Sequence, residues 1–191
     1  FKLNLHPMEE NGSRCDWDRG LAHANNWNTL QRYGDCFKMM GTANTFQPHG
    51  LHYMWDQGRI HYTSDKVWFQ PSAYIDELMM KSWKSNVVKT VSSDEQKIDL
   101  TAKIDDKGNE LTLYIVNMTD QPQESVINVK GFGKVRSKAK VISMGNCELT
   151  EYNTIDKQDN VVPQFSELSM GNIATYTFPK YSYTMITLRK K

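Results

Sequence analysis

A loop over residues 43–71 combines the side chains that a saccharide-binding site requires. Aromatic, imidazole and amide groups alternate there with Gly and Pro, as in Gln47-Pro48-His49-Gly50 and Trp55-Asp56-Gln57-Gly58. Flat rings can stack on the C–H faces of a sugar, while amides and imidazoles orient its hydroxyl groups. This loop is therefore the candidate ligand-binding segment, although its composition names no particular ligand.

Two other groups of side chains are weaker candidates for chemistry. The adjacent carboxylates of Glu9 and Glu10 could act in acid–base catalysis, but a solvated acidic turn is the more frequent arrangement in a loop. His49, His52 and His61 could ligate a metal, yet no carboxylate or thiolate completes a spacing typical of zinc. We therefore expect no metal site and no cofactor.

Charge and composition argue against nucleic-acid and membrane partners. The 191 residues include 23 Lys and Arg against 22 Asp and Glu, and no long basic tract is available for a polyanion. No apolar stretch approaches the roughly 20 residues of a membrane span, so we expect a soluble protein. The 3 cysteines are too few for a disulfide framework. The compartment stays open, with a periplasmic or secreted location favoured over the cytoplasm.

The start of the chain is predicted to contain a strand and a helix. Residues 1–6 alternate apolar and polar side chains, as a strand with one buried face does. Apolar residues recur at helical spacing over residues 19–33, with Asp16 or Asp18 as the N-cap and Gly34 as the stop.

A short β-compatible segment follows at residues 36–42, and Pro71 is suited to the first turn of a second helix, with Ile75, Leu78, Met79 and Trp83 on one face. Strand, loop, helix and strand in this order form the repeating unit of a parallel α/β barrel. Ligands of such barrels bind on loops that follow the C-terminal strand ends.

The second half of the chain is predicted to be an antiparallel β-sandwich, because short strand patterns recur there between turn signals. Asp106-Lys107-Gly108-Asn109 is the strongest hairpin signal. The predicted strands cover residues 97–103, 110–116, 125–129, 138–143, 173–178 and 183–188.

The order of residues in several segments resembles glycoside hydrolase family 51, whose members are α-L-arabinofuranosidases. In the first half the resemblance is carried by Ala43-Asn44-Thr45, Trp55-Asp56-Gln57-Gly58 and Val67-Trp68-Phe69-Gln70-Pro71. In the second half it is carried by residues 102–117, Gly131-Phe132-Gly133, Tyr152-Asn153-Thr154, Val161-Val162-Pro163 and residues 178–182. The resemblance implies the end of a (β/α)8 barrel over residues 1–84 and a jelly-roll-like C-terminal β-domain over residues 85–191.

The resemblance also implies which groups would perform catalysis. Retaining glycosidases hold two carboxyl groups about 5 Å apart, one as the nucleophile and one as the acid/base. The family's nucleophilic Glu would lie one position before Phe1, and its acid/base Glu would lie far upstream. We therefore expect the chain to lack both catalytic glutamates.

Substrate contacts are implied for five residues of this chain. Asn44 corresponds to an amide residue that hydrogen-bonds the arabinose, although a Gln is expected there. Asn4 stands near the nucleophile where members of the family often have Trp. The rim of the pocket would be lined by His6, His49 and Trp55.

Three functions follow from these observations. The first is the C-terminal portion of a retaining α-L-arabinofuranosidase that acts on arabinan or arabinoxylan. The second is a non-catalytic carbohydrate-binding module, and the third is a purely structural β-sandwich that supports a barrel. Because strands at residues 1–6 and 36–42 would lack neighbours, we expect the upstream part of the enzyme or a second copy of the chain to cover them.

Overall fold

A computed structural model describes residues 15–37, 39, 41–42, 45–50 and 57–191. The described residues form two helices and eleven strands. In chain order these are α1 (Trp17–Arg32), β1 (Phe46–Pro48), β2 (Ile60–Tyr62), β3 (Val67–Phe69), α2 (Pro71–Lys81), β4 (Asn86–Val88), β5 (Ile98–Ile104), β6 (Glu110–Asn117), β7 (Gln123–Asn128), β8 (Lys138–Gly145), β9 (Gln164–Ser169), β10 (Ile173–Phe178) and β11 (Ser182–Arg189). Neither helix is long and apolar enough to cross a membrane.

Helix α1 begins at the predicted cap. The Asp16 carboxylate accepts a hydrogen bond from the backbone N–H of Arg19 at 3.1 Å, which satisfies one of the first-turn donors. The helix ends at the C-cap Tyr33, close to the predicted stop. The predicted strand at residues 36–42 is wrong for the described residues of that segment. The backbone N–H groups of Cys36 and Phe37 instead donate to the Tyr33 carbonyl, so a turn continues the helix end.

Helix α2 begins at Pro71, as predicted, and buries Ile75, Leu78 and Met79. Trp83 does not share that buried face. The helix is already closed at Ser82, whose hydroxyl donates to the Leu78 carbonyl at 2.7 Å, and Trp83 is 53% exposed beyond it.

The second half of the chain consists of antiparallel sheets. A six-stranded sheet has the order β4-β5-β6-β11-β8-β9, and β7 pairs with β10 in a separate two-stranded sheet. The six predicted strands all form, and Gly108 adopts φ +67° in the predicted β5–β6 hairpin, where a side chain would be strained. The edge strands β4 and β9 were not predicted. Strand β4 is only 3 residues long, and β9 carries mostly polar, exposed side chains.

The two faces of the six-stranded sheet pack against different partners. Along β6, Leu113 and Ile115 point into a core shared with the two-stranded sheet, whereas Tyr114 and Val116 point into a core shared with α1 and α2. This alternation follows from the period of two along a strand. The helices and the two-stranded sheet therefore lie on opposite faces of one sheet.

Candidate functional site

A three-stranded sheet, called the small sheet below, carries the described part of the candidate ligand-binding loop. Strand β1 runs parallel to β2, and β3 returns antiparallel to β2. The Gln47 side chain secures the connection because its Oε1 accepts from the backbone N–H of Gly58 at 2.6 Å.

His49 lies at the exposed end of β1. Its backbone N–H donates to the Tyr62 carbonyl at 2.8 Å, which fixes the main chain. Its ring meets Trp68 edge-on, with 5.2 Å between ring centroids. Trp68 itself is only 3% exposed. His49 is therefore an accessible imidazole held against a buried ring.

His61 packs against the same Trp68 ring, with 5.5 Å between centroids, but it is buried. Its Nε2 lies 2.9 Å from the Gly58 carbonyl oxygen. These contacts assign His61 a packing role. Within the described ranges, no three His, Cys, Asp or Glu side chains come together as a metal site would require.

A single buried residue, Asn153, connects the small sheet to the long loop between β8 and β9. Its backbone carbonyl accepts from Trp68 Nε1 at 3.2 Å and from Gln70 Nε2 at 2.7 Å. Its backbone N–H donates to Gln70 Oε1 at 3.1 Å. Its side-chain Nδ2 donates to the Phe69 carbonyl at 2.7 Å, and its Oδ1 accepts from the Val161 N–H at 2.7 Å. We call these five residues the Asn153 joint.

A second cluster connects α1, α2 and Arg59, the residue before β2, through one carboxylate. Asp76 Oδ1 accepts from His23 Nε2 at 2.6 Å and from Trp27 Nε1 at 2.7 Å, and Asp76 Oδ2 pairs with Arg59. Burial, reinforced by the positive charges of Arg59 and Arg19, lowers the pKa of His23 to about 4. His23 is thus neutral at pH 7 and donates its Nε2 proton to the carboxylate.

The Asp76 cluster is arranged to stabilise the fold rather than to hydrolyse a glycosidic bond. The Arg59 side chain is 10% exposed, and its Nε finds no hydrogen-bond partner among the described residues, so Asp76 supplies the charge that neutralises it. Retaining hydrolysis needs two carboxyl groups across a bond. Here one carboxylate is already engaged by three donors.

The sequence matches the family model described as "Alpha-L-arabinofuranosidase C-terminal domain" over residues 6–182. The chain belongs to this family. The resemblance to glycoside hydrolase family 51 is confirmed, and the chain corresponds to a C-terminal portion of such enzymes. No curated protein matches the sequence at a significant level.

Solved structures similar to this arabinofuranosidase C-terminal domain share its fold. The arabinose-bound α-L-arabinofuranosidase MgGH51 superposes with a TM-score of 0.85 at 18% identity, covering 94% of this chain and 28% of that chain. The arabinose complex of the Thermotoga maritima enzyme gives 0.80 at 18% identity, covering 94% and 39%. The enzyme of Thermotoga petrophila RKU-1 gives 0.74 at 19% identity, with the same coverage. This chain thus spans less than half of each of these proteins. The shared fold combines antiparallel sheets with helices. The barrel and the jelly roll remain predictions.

The predicted pocket of the arabinofuranosidase C-terminal domain lies mostly outside the described residues. His49 alone among the five predicted contacts is described, and its exposed, supported ring is compatible with a rim position. The other predicted contacts and three of the weaker candidates fall outside the described ranges: Asn4, His6, Asn44, Trp55, Glu9, Glu10 and His52. The pocket stays a prediction.

Sequence reasoning missed the roles of Asn153 and Asp76. Asn153 and its partners Trp68 and Gln70 belong to segments that carry the family resemblance. The sequence therefore marked these residues, but it gave no indication that they contact one another. The only local hint of the Asp76 cluster is the i, i+4 spacing of His23 and Trp27, which places both on one helical face.

A groove of ≈ 870 Å³ opens between the six-stranded sheet and β7. Aliphatic residues line it on both sides, with Leu100, Ala102 and Ile104 on one side and Ile127 and Val129 on the other, and polar and charged residues complete the lining. The rings in its lining belong to Phe132 and Phe178, which are buried, so the groove offers no exposed ring of the kind that stacks on sugars.

Lys103 is a buried amine on the helix-facing side of β5. It is 2% exposed, and its Nζ lies 3.3 Å from the centroid of the Trp83 ring. The nearby Lys84 is already paired with Glu110 at 2.6 Å, and no described carboxylate forms an ion pair with Lys103. Burial, followed by the positive charge of Lys84, lowers the pKa of Lys103 to about 8.

We expect this lysine to make the free energy of unfolding rise with pH between about 8 and 10.5. In that window an unfolded lysine still binds the proton that folded Lys103 has lost, so raising the pH favours the folded state. Below pH 8 both states are protonated and the burial penalty stays constant.

Urea denaturation at pH 8 and pH 10 would check this expectation. Lys103→Met keeps the length of the side chain without its charge and should reduce the rise, whereas Lys107→Met in the exposed β5–β6 turn should not. An identical rise in the wild type and Lys103→Met would contradict it.

Proposed function

We propose that this chain is the C-terminal portion of a retaining α-L-arabinofuranosidase that hydrolyses terminal arabinofuranosyl groups from arabinan or arabinoxylan. In this proposal residues 1–84 complete the catalytic barrel and contribute pocket loops, and residues 85–191 form the accessory β-sandwich. The observation that carries the proposal is the family match over residues 6–182. Two of the similar structures contain arabinose, which supports the substrate class.

The catalytic carboxylates would come from upstream polypeptide. The family's nucleophile would directly precede Phe1, and its acid/base would lie earlier still. The contribution of this chain would be to binding, through Asn4 near the nucleophile, through Asn44 on the arabinose, and through a rim formed by His6, His49 and Trp55.

A partly exposed apolar face of the small sheet supports an upstream partner within the same protein. Strand pairing and the alternation of side chains place six apolar residues on one face, while Gln47, His61 and Trp68 take the other. Phe46 is 71% exposed and Val67 is 61% exposed. The face consists of Phe46, Pro48, Ile60, Tyr62, Val67 and Phe69. Exposed apolar faces of this kind mark interfaces, and we assign this one to the remainder of the barrel.

The groove between the six-stranded sheet and the two-stranded sheet argues against a carbohydrate-binding module. Such modules present exposed rings to the sugar, whereas the two Phe rings that line this groove are buried. Supporting the barrel is therefore the role that we propose for residues 85–191.

Assays with an aryl α-L-arabinofuranoside would test the proposal. The whole enzyme, including the upstream polypeptide, should release the aryl group, and replacing the Glu that precedes Phe1 by Gln should reduce kcat by several orders of magnitude. The isolated 191-residue chain should show no turnover. Turnover by the isolated chain would contradict the assignment of the catalytic groups, and a whole enzyme without turnover would contradict the function.

Light scattering of the isolated chain would test the interface. If the isolated chain self-associates and the whole enzyme does not, the result would support an apolar face that the barrel normally covers. Self-association that persists in the whole enzyme would instead identify a second copy as the occupant.

A further inference from the structure

We infer that Asn153, a residue of the β8–β9 loop, is a positioning residue for the substrate-facing loop and acts through Trp68 on His49. This inference rests on the proposed function, because it assigns His49 to the rim of the arabinose pocket. It makes the C-terminal region a determinant of substrate affinity rather than a passive support.

The Asn153 joint is built as a rigid contact. Asn153 is 1% exposed, and all four of its polar groups, the backbone N–H and carbonyl and both side-chain atoms, are hydrogen-bonded. Its carbonyl receives the indole N–H of Trp68 and the amide of Gln70 from residues 85 and 83 positions away. Because buried polar groups are costly to leave unpaired, this arrangement resists displacement of β3 relative to the loop.

Trp68 links the Asn153 joint to the exposed His49 ring. The indole N–H bond fixes the rotation of the ring, and the ring then contacts the buried imidazole of His61 and the exposed imidazole of His49. His49 also hydrogen-bonds β2 through its backbone N–H. A change in the tilt of Trp68 therefore moves the support on which the His49 ring rests.

The asparagine is matched to this role by its chemistry. Its amide donates to the Phe69 carbonyl while accepting from the Val161 N–H, which no carboxylate or aliphatic side chain can do. Loss of the amide would leave these buried backbone groups unpaired and loosen the end of β3.

The test uses the whole enzyme and compares KM with kcat for an aryl α-L-arabinofuranoside. Asn153→Ala and, separately, Trp68→Phe, which removes the indole N–H, should each raise KM by about three- to tenfold with a smaller change in kcat. Asn160→Ala is the matched control, because Asn160 lies in the same loop and bonds Glu151 and the Tyr152 carbonyl rather than β3. It should leave KM within about twofold.

A double-mutant cycle with His49→Ala tests the route. If Asn153 acts through His49, its substitution should raise KM much less in the His49→Ala background than in the wild type. Equal effects in both backgrounds would overturn the inference, as would unchanged KM in folded Asn153→Ala and Trp68→Phe. If Asn153→Ala does not fold, the KM of Trp68→Phe decides whether the inference holds. Absence of activity in the wild-type enzyme would instead overturn the proposed function.

Discussion

Gly145→Ala is expected to lower the free energy of unfolding by roughly 3–5 kcal/mol, combining backbone strain with a steric overlap. Gly145 ends β8 with φ +104°, a conformation that a side chain strains. An added Cβ would also lie well inside the contact distance of the Tyr181 carbonyl oxygen and the Trp17 ring. Trp17 cannot move away from the added Cβ, because it is fully buried and its Nε1 donates to the Tyr181 carbonyl at 2.5 Å.

Urea denaturation of Gly145→Ala beside Gly131→Ala separates the two causes. Gly131 has φ +89°, but a Cβ there meets nothing within 4 Å, so only the backbone cost of about 1 kcal/mol applies. Equal losses in the two variants would contradict the predicted overlap with Tyr181 and Trp17.

Asp76→Asn is expected to cost about 3 kcal/mol, because it removes the negative charge that neutralises Arg59 while leaving the guanidinium buried. The new amide would also direct its NH2 group either at Arg59 or at His23 and Trp27, so in either orientation a donor faces a donor. Chemical denaturation at pH 7 measures this loss.

The neighbouring Glu77 provides the matched control. Glu77→Gln removes an exposed ion pair with Lys81 on the same helix and should cost no more than about 0.5 kcal/mol. A loss for Asp76→Asn no greater than that for Glu77→Gln would show that the cluster contributes little. Removing Arg59 together with Asp76 should cost less than the sum of the single losses, because no buried charge is then left alone.

The sequence predicted most elements of secondary structure because their causes are local. The Asp16 cap, the start of α2 at Pro71 and the Gly108 turn each depend on residues a few positions apart. The same local reasoning failed at the described residues of segment 36–42, where an apolar, β-compatible composition gave no sign that the end of α1 would continue into a turn. It also missed β9, since an exposed edge strand needs no apolar face.

Family membership also followed from the sequence, but from the order of particular residues rather than from periodicity or composition. Trp68, Gln70 and Asn153 were recognised as parts of such segments without any indication that they touch.

The sequence by itself thus determined the helices, most of the strands and the family, because these depend on neighbouring residues or on residue order. Only the tertiary structure decided that Asn153 meets Trp68 across 85 positions and that Asp76 neutralises Arg59 from another element. Hydrogen bonds and ion pairs act over a few ångströms of space, and separation along the chain does not reveal which side chains the packing of helices and sheets brings that close.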